Sequence, residues 1–207
     1  MAKKCYTREQ VESAVKSNGY KWFDDTNNKG YDVNIVGVRN ASTGNKVTNK
    51  FDDCVTISYK KEGKWKFFCF EATTDPGDNW MDSPMLEKGC AVLKEGQYRG
   101  SHKLRLHGGK YLALGQTKEV TVYRDRNKDD RYDLNESTTT TGLFGINIHR
   151  ATALEGKTST YVDKWSAGCQ VIASNDDWKK FLAICEKARD IHGNSFSYTL
   201  INSKDII

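Results

Sequence analysis

Proline is nearly missing from this chain, with 2 in 207 residues beside 17 glycines. That leaves little room for a long linker and favours one domain, or one domain with a small appendage. No apolar stretch approaches the length needed to cross a bilayer, so membrane insertion is not expected. The N-terminus, Met1-Ala2-Lys3-Lys4-Cys5-Tyr6, is basic, but Thr7-Arg8-Glu9-Gln10 follows where a secretory signal would carry its apolar core. No signal peptide is read there, and synthesis in a cytoplasm is expected. The six cysteines (Cys5, Cys54, Cys69, Cys90, Cys169, Cys185) include no Cys-x-x-Cys pair, which argues against a zinc site of the usual kind. Basic residues do not cluster with aromatics, so nucleic acid is not an expected partner. The net charge of +5 is spread along the chain and is read as ordinary solubility. No internal repeat is present, and a monomer is expected.

Core-forming material is ample: 37% of the chain is hydrophobic, with 5 Trp, 10 Tyr and 8 Phe. Thr7-Arg8-Glu9-Gln10 has capping-box spacing, and Val11, Ala14 and Val15 continue with helical periodicity up to Asn18-Gly19. Asp32 to Val38 reads as a strand. Val55 to Tyr59 alternates, Glu62-Gly63 supplies a turn, and Trp65 to Phe70 returns. The hairpin places Lys61 opposite Lys64, Ile57 opposite Phe68 and Val55 opposite Phe70. Cys54 and Cys69 then lie diagonally on the other face. A disulfide is open to them, with two reduced thiols favoured.

Gln97–Leu106, Lys110–Leu114 and Glu119–Tyr123 read as short strands divided by glycine turns, while 84–93 has no clear pattern. Gly145–His149 and Cys169–Ala173 read as two further strands. A helix from Asn175 to about Ile191 presents Trp178, Phe181, Leu182 and Cys185 on one face, Gly193 ends it, and Phe196–Ile201 closes the chain. Many short strands with an N-terminal and a C-terminal helix give an α+β, mainly β fold, expected as a curved sheet or β-sandwich. The organisation expected is a helix-strand segment over 1–52 and a main domain over 53–207, forming one compact unit.

Chemistry concentrates in two pieces. Gly142-Leu143-Phe144-Gly145-Ile146-Asn147-Ile148-His149-Arg150 reads as a strand ending in histidine, and Trp165-Ser166-Ala167-Gly168-Cys169-Gln170 as a small-residue turn carrying a thiol. A thiol beside an imidazole is the minimum apparatus of cysteine nucleophilic catalysis. His149 would take the proton, with a backbone carbonyl or Asn147 orienting its ring. Gly168 would let the backbone turn tightly, and the amides near Gly168 and Cys169 would face an oxyanion. Ser166 would hold the turn or the substrate.

Phe144-Gly145-Ile146-Asn147-Ile148-His149, followed about twenty residues later by Ser166-Ala167-Gly168-Cys169, resembles the L,D-transpeptidase (YkuD-type) catalytic domain. The likeness is specific after 142 and faint from 53 to 142. It implies Cys169 as nucleophile, His149 as base and the Arg150 carbonyl as orienting group, with Ser166 and Gly168 matching the family's serine and glycine. It implies a peptidoglycan stem peptide as partner and a thioester resolved by an amine or by water. Ala167 stands where the family has histidine, Gln170 where an aliphatic residue is usual, and Val171 where Arg or Asn is usual. Gln170, Trp165, Asn147 and His107 become candidates for substrate contact, alongside Arg150. No cofactor is required by this chemistry. Without an export signal, the resemblance points to a phage-type endolysin that acts on the cell wall after release through a holin-type pore. The rival readings are a non-catalytic wall-binding or virion structural module on the same fold, and a cysteine acyltransferase acting on some other peptide.

One further motif stands apart. In Asp125-Arg126-Asn127-Lys128-Asp129-Asp130-Arg131-Tyr132-Asp133-Leu134-Asn135-Glu136, oxygen side chains fall at loop positions 1, 3, 5, 9 and 12. This is the spacing of an EF-hand calcium loop. Asp125, Asn127, Asp129, Asp133 and Glu136 are therefore candidate ligands for a structural calcium ion, although Asp130 stands where glycine is usual and a strand precedes the loop. The remaining histidines read as ordinary: His102 as a surface or hydrogen-bonded residue, His192 at a helix C-terminus.

Overall fold

In the computed structural model, which describes residues 5–206, local structure follows local pattern over much of the chain. Residues 1–4 and 207, the ends of the two expected segments and the start of the basic N-terminus, lie outside the described residues. Helix α1 (Arg8–Ser17) opens on Thr7 with both halves of a capping box, exchanging bonds with Gln10, and buries Val11, Ala14 and Val15. Strands β1 (Asn34–Arg39), β2 (Asp53–Lys61) and β3 (Lys64–Thr73) follow. The β2–β3 turn uses Glu62 and Gly63 at φ of 52° and 73°, the pair of left-handed residues that suits strand twist. Lys61 faces Lys64, Ile57 faces Phe68 and Val55 faces Phe70, the register that the alternation predicts. Cys54 and Cys69 are both reduced, with no disulfide between them.

After helix α2 (Asp78–Asp82) come β4 (Cys90–Leu93), β5 (Gly96–His107), β6 (Tyr111–Gln116) and β7 (Val120–Asp125). Then follow β8 (Thr140–Gly142), β9 (Ile148–Arg150), β10 (Gln170–Ile172), helix α3 (Asn175–His192) and β11 (Phe196–Asn202).

The strands do not form the expected curved sheet or sandwich. Eight of them close into a barrel in the order β1-β11-β5-β6-β9-β10-β3-β2, and β4, β7 and β8 make a separate antiparallel sheet. Closure comes from β1, which pairs antiparallel with β2 and parallel with β11, Ile35 opposite Tyr198. The first and last strands of the chain therefore meet, and no barrel strand is left with a free edge. The fold remains α+β, but it is a closed barrel where an L,D-transpeptidase (YkuD-type) domain would have an open curved sheet. The resemblance is corrected on that ground. Alternation marks a strand without naming its partner, which is why the short motif misled.

The two faces of the barrel strands bury different things. Ile35, Val55, Ile57, Phe70, Ile148, Ile172, Tyr198 and Leu200 join one large core with Leu93, Val120 and Val122 of the small sheet and with Trp178, Phe181, Ile184 and Cys185 of α3. Phe70 meets Phe181 edge to face at 6.1 Å. The alternate residues Val36, Val38, Cys54 and Ile201 pack instead under α1 and Trp22. Buried Arg39 ties the end of β1 to Asp75 at 2.7 Å and to Glu95 at 2.8 Å. Each full burial of a Leu- or Phe-sized side chain here contributes roughly 1.5–3 kcal/mol. Among the described residues no helix is long and apolar enough to cross a membrane.

Candidate functional site

Strands β9 and β10 run parallel, with Gln170 opposite Ile148 and Val171 opposite His149. Paired residues share a face and successive ones alternate, so Cys169, Val171 and His149 project to the same side. The expected strands were longer. Residues 144–147 are irregular because their backbone is satisfied elsewhere: Gln116 Oε1 accepts the N–H groups of Phe144 and Ile146 at 3.1 and 2.9 Å. Gly145 sits at φ 74°. Asn147 anchors the segment, its Oδ1 accepting the Gln116 N–H at 2.9 Å and its carbonyl accepting the Gln170 N–H at 2.8 Å.

The Cys169 turn is held from both sides. The Ser166 hydroxyl, fully buried, donates to the Cys169 carbonyl at 2.8 Å and accepts the Gly168 N–H at 3.1 Å. Gly168 has φ 122°, and a Cβ there would lie 2.3 Å from the Ala91 carbonyl oxygen, so only glycine fits. Gln170 is fully buried. It donates to the carbonyls of Thr74 and Gly168 and accepts the Tyr198 hydroxyl at 2.6 Å. Tyr198 reaches it by crossing Gly37, where any Cβ would collide with the phenol oxygen. Gln170 thus bolts the turn to the barrel core.

Around the thiol, the Asn147 N–H points at Cys169 Sγ from 3.5 Å and the thiol donates to the Gly145 carbonyl at 3.3 Å. His149 Nδ1 donates to the Arg150 carbonyl at 2.8 Å, with the Tyr111 hydroxyl at 3.4 Å. That fixes the proton on Nδ1 and leaves the Nε2 lone pair free of it. The His107 ring stacks on His149 at 4.4 Å, and Asn147 Nδ2 donates to His107 Nδ1 at 3.3 Å. The Arg150 guanidinium lies over the Tyr111 ring at 4.3 Å. Trp165 is 45% exposed at the entrance to the turn.

Electrostatically the Cys169 thiol and the His149 imidazole are both neutral. Burial pushes the Cys169 thiol up to about 11, only partly offset by the Asn147 N–H. Burial pushes His149 down to about 4, against the pull of the Arg150 carbonyl and helped by His107. No charged partner compensates either group, so neither ionises near neutrality.

His107, Asn147, His149, Arg150, Ser166, Gly168 and Cys169 therefore gather in one region, and Gln170 turns inward beneath them. The sequence offered no sign of Tyr111 and Gln116. His102 is fully buried, taking the Ser101 hydroxyl on Nδ1 at 2.8 Å and donating from Nε2 to the Ile146 carbonyl at 2.9 Å. The calcium-loop residues lie elsewhere, from the last residue of β7 to the turn before β8.

The expectation of a peptidoglycan-active, L,D-transpeptidase-like acyl-transfer enzyme is not sustained. The closed barrel removes the fold on which it rested. The thiol is directed to the Gly145 carbonyl, and among the described residues no hydrogen bond joins it to His149, so no catalytic Cys–His triad stands assembled. The wall-binding or virion module was placed on the same fold and falls with it, as do the YkuD and endolysin descriptions. Comparison of the chain with protein-family models, with curated proteins and with solved structures finds no match.

Proposed function

We propose that the chain is a cysteine-dependent enzyme in which Cys169 attacks a carbonyl carbon, of a peptide or another amide or ester, and carries the acyl group as a thioester. The observation that supports this is the parallel β9–β10 register, which sets Cys169 on the same face as His149 with the Nε2 lone pair free of a proton. With the thiol pushed up to about 11 and the imidazole down to about 4 by burial, proton transfer ahead of bond formation is strongly uphill. The thiol first turns from the Gly145 carbonyl towards His149, and its proton passes to Nε2 only as the C–S bond forms. The leaving amine or alcohol departs with that proton as its bond to the carbonyl carbon breaks. Water then attacks the thioester, and the free acid and the thiol are regenerated. The Arg150 carbonyl steadies the transient imidazolium.

Incubation with p-nitrophenyl acetate, followed by intact-mass measurement and peptide mapping, tests the reading. A single acetyl group is expected on Cys169, absent in Cys169→Ala and formed roughly 10²–10⁴ times more slowly in His149→Ala. An unmodified Cys169, or acetylation at the same rate without the imidazole, would end this proposal.

A further inference from the structure

The loop from Asp125 to Glu136 takes no part in the Cys169 site. Asp125 ends β7 and is almost wholly buried. Its Oδ2 accepts the Asp133 N–H at 2.7 Å, while its Oδ1 is buried with no hydrogen-bond partner. A buried carboxylate oxygen without a donor is costly, and proteins resolve it with a cation or a proton.

The backbone points the same way. Asp130, at the sixth loop position, has φ 58°, the left-handed turn that glycine makes in an EF-hand loop. Arg131, at the seventh, bridges Lys46, and the bonds of that bridge run from Val47 N–H to the Asp130 carbonyl and from Tyr132 N–H to the Asn45 carbonyl. The Arg131 carbonyl is thereby turned away from residues 45–47, at the position where such loops offer a main-chain oxygen. Asn127 and Asp129 are exposed on the same loop. Among the described residues no three His, Cys, Asp or Glu side chains already form a metal cluster, and Glu136 is paired with Lys94.

We propose that this segment is a calcium-binding loop, with Asp125 as the buried anchor ligand and Asn127, Asp129, the Arg131 carbonyl and Asp133 folding onto the ion. Glu136 leaves Lys94 to close the site. Calcium fits the irregular, oxygen-only donor set better than magnesium, which demands a stricter octahedron. The loop also reaches the thiol turn. The Tyr132 hydroxyl donates to the Pro76 carbonyl at 2.9 Å, and the Gly77 N–H donates to the Ser166 carbonyl at 2.9 Å.

Titration of calcium chloride into the chelator-treated full chain, with magnesium chloride in parallel, tests the assignment. One saturable site with a Kd of roughly 10⁻⁵–10⁻³ M is expected, with a rise in Tm at saturating calcium. Asp129→Ala removes an exposed side chain and should weaken binding by about tenfold or more, and Asp125→Asn should do the same by removing the anchor charge. No saturable calcium signal, an equal response to magnesium, or an unchanged affinity in Asp129→Ala overturns the proposal.

Discussion

The β2–β3 hairpin and the β9–β10 pair are built on opposite plans. The hairpin keeps nine consecutive facing pairs and closes with a two-residue turn, so its backbone groups satisfy one another. β9 and β10 share three facing pairs, and β9 touches β6 through a single one, Leu114 opposite Ile148. Side chains do the remaining work there: Gln116, His102, Ser166, Asn147 and Gln170 take up backbone groups that a longer ladder would have used. A regular ladder tolerates side-chain change because its bonds are in the main chain. A segment held by side chains can present a thiol and an imidazole in irregular backbone, at the cost of dependence on a few polar residues.

The contrast is sharpest at Gly168. Gly168→Ala should cost roughly 3 kcal/mol or more, because the new Cβ meets the Ala91 carbonyl at 2.3 Å in left-handed backbone. Denaturant unfolding measures it, and a loss under about 1 kcal/mol would mean the turn is not tightly held. Next comes Gln116→Leu, which strands the N–H groups of Phe144 and Ile146 and should cost about 2–4 kcal/mol. In the hairpin, Thr56→Val removes only the bond to the Val36 carbonyl and should cost about 1 kcal/mol or less. Equal losses in these two variants would erase the distinction between the regions.

A pH scan adds a third test. His102 and His149 both fall from 6.5 to about 4 in the folded chain, chiefly through burial. The unfolded chain therefore binds their protons first, and stability should decline as pH drops from about 6.5 towards 4 and be unaffected by these groups above 6.5. Replacing His102 with Gln should roughly halve their joint contribution to the slope of Tm against pH over that window. An unchanged slope would show that His102 is not the group responsible. The smallest effect belongs to the hairpin turn. Gly63→Ala, at φ 73° with nothing within 4 Å of the new Cβ, should cost only about 1 kcal/mol.

The same contrast explains what could be read from the sequence. The capping box at Thr7, the register of Val55 and Ile57 against Phe70 and Phe68, and the buried face of α3 are all short-range patterns, and all appear in the structure. Barrel closure was not legible, since Ile35 and Tyr198 meet across most of the chain and nothing in either segment names the other. Gln170 illustrates the limit within the site. Beside a cysteine it reads as a polar residue for substrate, yet it is fully buried and bonded to Tyr198, Thr74 and Gly168. The irregular path of 144–147 was equally hidden, because its bonds come from Gln116 on another strand.

What the amino-acid order settled alone is where the two long helices and most of the longer strands lie, and which thiol sits in a glycine turn after a histidine strand, since both depend on spacing and local sterics. The partners of those strands were decided by the packed chain, through contacts between residues far apart in sequence. So was the charge state of Cys169 and His149, because the cost of holding a charge depends on how much water the fold leaves around it.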